Sequence, residues 1–275
     1  MPQIVDILKA VFLGIIEGIT EWLPISSTGH MILVNEFIGD AGSFFETDVF
    51  LYVIQLGAIL AIVTLYFRKL NPFALSKTPE EKRATWSMWF KVIVACLPAA
   101  IIGLLFNDYM DKIENAWVVS SMLILYGIGF IVVESRRSGA RVTEMSGLTY
   151  KTALLIGAFQ VLSIVPGTSR SGATILGAII LGLSREVAAE FSFYLAIPVM
   201  VGVSGLKIVT NDYAMNTTEW IILGIAMVVA YAVSLVAVKF LTGFVKRHDF
   251  KAFGWYRIAL GIIVLGYFTV NTFVR

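Results

Sequence analysis

Apolar residues run along this 275-residue chain in blocks too long and too continuous for the interior of a soluble fold. A helix crossing the hydrocarbon of a bilayer needs roughly 20 mainly apolar residues. Six stretches come close to that length: 49–67, 90–105, 116–133, 187–208, 220–241 and 255–273. Two further apolar stretches are interrupted. Residues 7–23 and 31–38 flank Pro24-Ile25-Ser26-Ser27-Thr28-Gly29-His30, and residues 150–165 and 173–183 flank Pro166-Gly167-Thr168-Ser169-Arg170-Ser171-Gly172. Each reads as a helix–loop–helix whose pieces are too short to span comfortably. The pattern predicts an all-α polytopic membrane protein, one integral membrane domain over 1–275, with six transmembrane helices and two re-entrant hairpins.

Composition agrees. Hydrophobic residues make up 58% of the chain and charged residues 15%, against about 25% charged in soluble domains; mean hydropathy is +0.83. A soluble enzyme, a disordered chain and a nucleic-acid-binding module are excluded, so no nucleic-acid partner is expected. The net charge of +2 says little, whereas the positions of the charges say more. Basic residues cluster in 68–91, 134–151 and 239–257, and the positive-inside rule places these segments, with Arg185, on the cytoplasmic side. Lys9, Lys112, Lys207 and Arg275 fall on the other side, where 36–48, 107–114 and 211–219 are acidic or neutral. Both termini then lie outside, the first hairpin enters from outside and the second from inside. Arg170 fits neither surface. No basic stretch precedes the first apolar segment, so no cleavable signal peptide is expected.

A shift of 143 positions superposes the two interrupted segments: Gly14 on Gly157, Glu17 on Gln160, Ser26 on Ser169, Thr28 on Ser171 and Gly29 on Gly172. Each half, about 1–140 and 145–275, is one hairpin plus three spans. An odd number of spans makes the halves inverted in topology. Irregular backbone at membrane depth is tolerated only where protein or a water-filled cavity surrounds it, so the two loops are expected to line a shared cavity.

The loops carry the chemistry. Glu17 and Glu21, four apart, share one helix face, and two like charges there call for a cation, a proton or a basic partner. Ionisable residues at membrane depth are functional candidates by default. Ser26, Ser27 and Thr28 add hydroxyls, and His30 adds a group that titrates near neutrality. In the second loop, glycines allow close approach of a ligand, and the helix expected to start near Ser171 or Gly172 offers its positive end to an anion. Arg170 brings a planar fork suited to phosphate oxygens, with Ser169, Ser171 and Thr174 beside it. Acids, a hydroxyl nucleophile, a base and an anion clamp suit phosphoryl transfer or phosphate-ester hydrolysis. A Walker loop is absent, since the Gly-Lys-Ser/Thr ending is missing.

The segment Glu17-Gly18-Ile19-Thr20-Glu21-Trp22-Leu23-Pro24-Ile25-Ser26-Ser27-Thr28-Gly29-His30 closely resembles the first signature of the undecaprenyl-diphosphate phosphatases, the bacitracin-resistance family. Pro166-Gly167-Thr168-Ser169-Arg170-Ser171-Gly172-Ala173-Thr174 resembles the second, and the likeness covers essentially the whole chain. The resemblance implies hydrolysis of undecaprenyl diphosphate, a membrane lipid, on the outer side of the bacterial cytoplasmic membrane. The products would be undecaprenyl phosphate and inorganic phosphate, which recycles the carrier for peptidoglycan synthesis. It also implies bacitracin resistance on overproduction. Its Glu-x-x-x-Glu pair maps to Glu17 and Glu21, its Ser–His pair to Ser27 and His30, and its arginine to Arg170. Glu21, Ser27, His30 and Arg170 are therefore the expected catalytic residues. Glu17, Ser26, Thr28, Ser169, Ser171, Gly172 and Thr174 are the expected substrate contacts. Glu17 and Glu21 are candidate ligands for Mg²⁺ or Ca²⁺, ions that favour oxygen. Either Ser27 or His30 could be the nucleophile.

The competing class is a lipid-phosphate flippase or proton-coupled transporter, because inverted repeats with broken helices are a transporter signature. The remaining features are expected to be structural. Cys96 lies in an apolar run as an inert thiol, His248 in a basic solvated segment, and Gly14 and Gly18 at a helix contact. Trp22, Trp86, Trp117, Trp220 and Trp255 lie near element ends, as interfacial aromatics do. A homodimer is compatible with the sequence.

Overall fold

The computed structural model describes residues 3–38, 44–113, 115–137, 139–210 and 215–274; the side chains of Thr28, Ile32 and residues 35–38, 107–113 and 272–274 lie outside the description. So, in part, do the three outer segments 36–48, 107–114 and 211–219, together with Arg275 and the side chain of Lys112. The described elements are helices α1 (Ile4–Thr20), α2 (Ser27–Ile38), α3 (Asp48–Leu65), α4 (Phe67–Leu70), α5 (Pro79–Ile113), α6 (Ala116–Ser135), α7 (Tyr150–Val161), α8 (Arg170–Ile180), α9 (Arg185–Thr210), α10 (Thr217–Phe244) and α11 (Lys251–Val274). Among the described residues the only β feature is an isolated bridge between Val142 and Leu183.

Among the described residues, six helices are long and apolar enough to cross a membrane: Asp48–Leu65, Pro79–Phe106, Ala116–Ser135, Arg185–Thr210, Thr217–Phe244 and Lys251–Asn271. Each contains or overlaps one expected span. The largest difference is α5, which starts well before the apolar run. Thr78 and Glu81 form a reciprocal cap there: Glu81 N–H donates to Thr78 Oγ1, and Thr78 N–H donates to Glu81 Oε2. Pro79 occupies the first helical position, where its missing N–H costs nothing. Hydropathy registers only the part of a helix that meets lipid, so such polar extensions escape it.

Both interrupted segments fold as two short helices, but the second helix of each starts inside the expected loop, at Ser27 and at Arg170. The residue before each start is strained. Ser26 and Ser169 are the only described non-glycine residues with positive φ, at 73° and 72°. In each case the serine Oγ accepts an N–H three residues on, from Gly29 at 3.3 Å and from Gly172 at 3.1 Å. The 143-residue shift carries one cap onto the other, so the same corner is built twice. Strained corners of this kind persist only where the surroundings over-determine them.

Packing is reciprocal between the two halves. Helix α1 of the first lies along α10 of the second, and α7 of the second lies along α5 of the first; α3 packs on α9 and α10, and α6 on α11. Lipid supplies no hydrophobic drive between helices, so close backbone approach through small residues does that work. A methyl group at Gly14 would sit 2.7 Å from the Ala226 carbonyl oxygen, and one at Gly157 only 2.2 Å from that of Ala95. Large apolar side chains on α1 (Ile4, Leu8, Phe12, Ile15, Ile19) are exposed, while Ala10, Gly14, Glu17 and Gly18 turn inward. This helix thus shows lipid a greasy stripe and keeps its small and acidic residues for the interior.

Trp86, Trp117, Trp220 and Trp255 are exposed as interfacial aromatics should be, but Trp22 is not. It is fully buried, edge-on against Phe193, because it sits at the buried corner between α1 and α2. Replacing Gly157 with Leu is expected to separate α7 from α5 and to destabilise the fold by about 1–3 kcal/mol or more. A wild-type unfolding temperature for that variant in detergent would contradict this packing.

Candidate active site

The two strained corners face each other. Glu17 and Glu21, near the end of α1, are both buried. Glu21 Oε1 accepts from Arg170 Nη2 at 2.8 Å, and Glu21 Oε2 accepts from the Ser27 hydroxyl at 3.0 Å. One carboxylate therefore joins the first turn of α2 to the first turn of α8. Arg170 also donates through Nη1 to the Ser192 carbonyl of α9 at 2.8 Å, and its guanidinium lies 5.9 Å from the centre of a Trp22 ring. The Arg170 Nε–H and Glu17 Oε1 are buried and carry no protein hydrogen bond. A buried polar atom left bare costs about 1–3 kcal/mol, so these two atoms mark where a further polar group belongs.

The remaining hydroxyls serve mostly within the protein. Ser171 donates to the carbonyls of Glu21 and Leu23 and pairs with Ser169; Thr174 bonds Arg170 O and Ser192 Oγ. Ser169 and Ser26 are the caps described above, and Gly172 lies in the first turn of α8. Thr28 occupies the first turn of α2, with its side chain outside the described residues.

His30 stands one turn into α2. Its Nδ1 is 2.7 Å from the Ser26 carbonyl oxygen, which can only accept, so the proton is on Nδ1. Its Nε2 meets the Tyr256 hydroxyl at 2.6 Å, and the two rings stack with centroids 5.6 Å apart. Ser27 and His30 do not bond each other; Ser27 is tied to Glu21, and His30 to Tyr256 and the backbone of the strained corner.

Arg257 belongs to the basic segment 239–257, which the positive-inside rule places at the cytoplasmic surface, but it lies in the interior instead. Its side chain is completely buried. Nη1 donates to Pro24 O, and Nη2 to Gly167 O, Thr168 O and Met122 O at 3.0–3.4 Å, while Nε reaches Leu123 O. Tyr126 lies under the guanidinium. One arginine thus satisfies carbonyls from both loops and from α6. It also approaches Gly172 so closely that a methyl there would sit 3.2 Å from Nη1. Arg257 falls inside the expected span 255–273, so the rule that singled out Arg170, an ionisable group at membrane depth, was available for it too. Tyr256 carries no such signal.

Arg170, Arg257 and the positive end of α8 concentrate positive potential at one point. Glu21 contacts Arg170 directly and stands between it and Ser27. This arrangement can receive an anion, and it can take a proton from a hydroxyl placed beside that anion.

Residues 10–263 match the sequence model described as bacitracin resistance protein BacA. The chain belongs to that family. It is 56% identical over 268 residues to the undecaprenyl-diphosphatase of Enterococcus faecalis strain V583, covering 95% of this chain and 97% of the relative. It is 57% identical over 266 residues to that of Acetivibrio thermocellus, covering 96% and 98%. Identity to undecaprenyl-diphosphatase 1 of Clostridioides difficile is 53% over 267 residues, covering 97% of each.

In this family member Arg257→Ala would strip buried carbonyls of both loops, at about 1–3 kcal/mol for each acceptor left bare. A markedly lower unfolding temperature in detergent is expected, with partial recovery in Arg257→Lys, which keeps the charge but not the fork. Unchanged unfolding of the Ala variant would remove Arg257 as the tie between the loops.

Proposed function

We infer that this chain is an undecaprenyl-diphosphate phosphatase, an acid anhydride hydrolase that converts undecaprenyl diphosphate to undecaprenyl phosphate and inorganic phosphate. Membership of the family and near full-length identity to proteins of that name support the reading. The observation that carries it is the partly buried chain from Ser27 through Glu21 to Arg170: nucleophile, base and anion clamp in contact at the meeting of two capped helices.

In the proposed reaction the lipid tail stays in the bilayer and the diphosphate enters the cavity. Arg170, through its unpartnered Nε–H, and the positive end of α8 hold the terminal phosphate. Glu21 takes the Ser27 proton as an Oγ–P bond forms, and the bond from that phosphorus to the bridging oxygen breaks. Undecaprenyl phosphate leaves. Water then cleaves the phosphoserine, giving inorganic phosphate and restoring the hydroxyl. His30, fixed by Tyr256 and by the Ser26 carbonyl, holds the corner that aims Ser27. Ser27 is preferred over His30 as nucleophile because its hydroxyl already donates to a carboxylate, whereas both imidazole nitrogens of His30 have partners.

A divalent cation, Mg²⁺ or Ca²⁺, fits the donor set. Glu17, with its bare buried oxygen, and Glu21 would hold it. Among the described residues no group of three or more His, Cys, Asp or Glu that could hold a metal is present, so the other ligands would have to come from phosphate and water. When bound it would neutralise charge on the substrate phosphates.

The doubly built Ser26/Ser169 corner and the reciprocal packing support two inverted repeats with re-entrant hairpins. With the basic segments inside, the cavity opens outward in the cytoplasmic membrane. There the enzyme would recycle the carrier for peptidoglycan synthesis and would confer bacitracin resistance by consuming the lipid diphosphate.

Purified protein in detergent micelles, with no gradient, is expected to release phosphate from the lipid diphosphate. Arg170→Ala, Glu21→Gln and Ser27→Ala should each lose on the order of 10²-fold or more in turnover. Near wild-type activity in Arg170→Ala would sink the clamp, full activity in a chelator would sink the cation, and a phosphoenzyme on His30 would sink Ser27 as nucleophile. Absence of release in micelles would favour a transporter built on the same cavity. Topology has a separate test: with Cys96→Ser as background, Leu75→Cys and Thr217→Cys should label from opposite sides of the membrane. Same-side labelling would remove the inverted arrangement.

A further inference from the structure

A second basic site lies at the other end of α8. Arg170 opens this helix and Ile180 closes it, so a rise of about 15 Å separates the two. Where α8 ends, the chain following α6 folds back over it. Arg141 and Val142 donate their N–H groups to Gly182 O, and Ser184 N–H donates to Val142 O. Between these segments is a cavity of about 570 Å³ whose lining includes Arg136, Arg137 and Arg141 and no acidic residue.

The three arginines have no carboxylate partner among the described residues. Arg137 and Arg141 each reach a backbone carbonyl at the end of α8, Leu183 O at 3.3 Å and Leu181 O at 3.4 Å. The Arg136 side chain is exposed and has no hydrogen bond among the described residues, its backbone N–H alone being used, to Val132 O at the end of α6. The nearest acid, Glu134, is committed: both its oxygens accept from Arg185, and Oε1 also accepts from Phe250 N–H. Burial, and after it the neighbouring Arg185 charge, lowers the Arg137 pKa from its ordinary value, with Glu134 acting in the opposite direction.

The rest of the wall is apolar, from Val132 on α6 and Ile179 and Ile180 on α8. On α6 the exposed side chains Leu125, Ile128 and Val132 are spaced as one stripe of a helix and lead from the spanning part to the cavity mouth. A soluble anion would have no use for that stripe, whereas an acyl chain would lie along it.

We propose that this cavity binds the phosphate of an anionic membrane phospholipid, with the guanidinium groups of Arg136, Arg137 and Arg141 around the headgroup and an acyl chain on the α6 stripe. Guanidinium forks suit phosphodiester oxygens, and basic pockets between spanning helices are where anionic headgroups settle. The lipid would brace the turn after α8 and so the helix whose other end carries Arg170. The site stands whether or not the chain hydrolyses lipid diphosphate.

The test uses the full chain in neutral detergent, with unfolding followed by its own tryptophan fluorescence. Added phosphatidylglycerol is expected to raise the unfolding temperature by on the order of 5 °C. Phosphatidylcholine and inorganic phosphate should not. Arg136→Glu and Arg136→Ala remove an exposed side chain without protein partners. Both should fold and keep wild-type turnover in neutral detergent, yet lose most of the rise. Arg83→Glu, which removes an exposed basic residue of another segment, should keep it. An equal rise with phosphatidylcholine or with phosphate, a full rise in both Arg136 variants, or an equal loss in Arg83→Glu would each overturn the proposal.

Discussion

Peptide carbonyls inside an apolar medium have no water to turn to, and each one left bare costs several kcal/mol. A protein that breaks its helices inside apolar surroundings must therefore supply donors from side chains. Here Arg257 supplies them. Its guanidinium meets Pro24 O of the first loop, Gly167 O and Thr168 O of the second, and Met122 O and Leu123 O of α6. Five donors in a fixed plane suit this task in a way that an ammonium does not. The two corners can thus leave the helical ladder and still meet each other, and the positions of Ser27 and Arg170 depend on that meeting.

Strain is concentrated where the loops turn back into helices. Ser26 and Ser169 hold left-handed backbone that glycine would adopt without cost, yet each uses its hydroxyl to cap the helix it opens. A glycine would relieve the strain and lose the cap. The conformation is kept because the hydroxyl is needed there, and its effect is to bring the first turns of α2 and α8 to one carboxylate, that of Glu21. Ser171 adds a cross-link by donating from α8 to carbonyls after α1.

Much of this was legible in the sequence, for physical reasons. Lipid forces long apolar runs, so six spans could be read off directly. Broken apolar runs rich in Ser and Gly mark both corners, and the 143-residue shift pairs Ser26 with Ser169, the two residues whose φ is positive. Helix starts were less legible: capping turned the loop residues Ser27 to His30 into the first turn of α2, because a cap acts through hydroxyl geometry that hydropathy does not register. Trp22 and Arg257 depart from the placement their positions suggest for a shared reason. Residues near the ends of apolar runs look interfacial in a linear pattern, but these two belong to the corners where the chain turns inward. Tyr256, the partner of His30, is 226 residues away from it and has no local signature at all.

The Glu21–Arg170 pair bears on how the site works. A buried ion pair is weak evidence for stability, because desolvation of both charges offsets their attraction. In the proposed reaction the pair need not break, because Arg170 keeps a bare buried Nε–H for the incoming phosphate. Glu21 holds the guanidinium and the Ser27 hydroxyl at once, at 2.8 and 3.0 Å. The ion pair therefore acts through geometry: the carboxylate that keeps Arg170 aimed is the one that keeps the Ser27 hydroxyl beside it, so an anion drawn to the arginine arrives next to the group proposed to attack it.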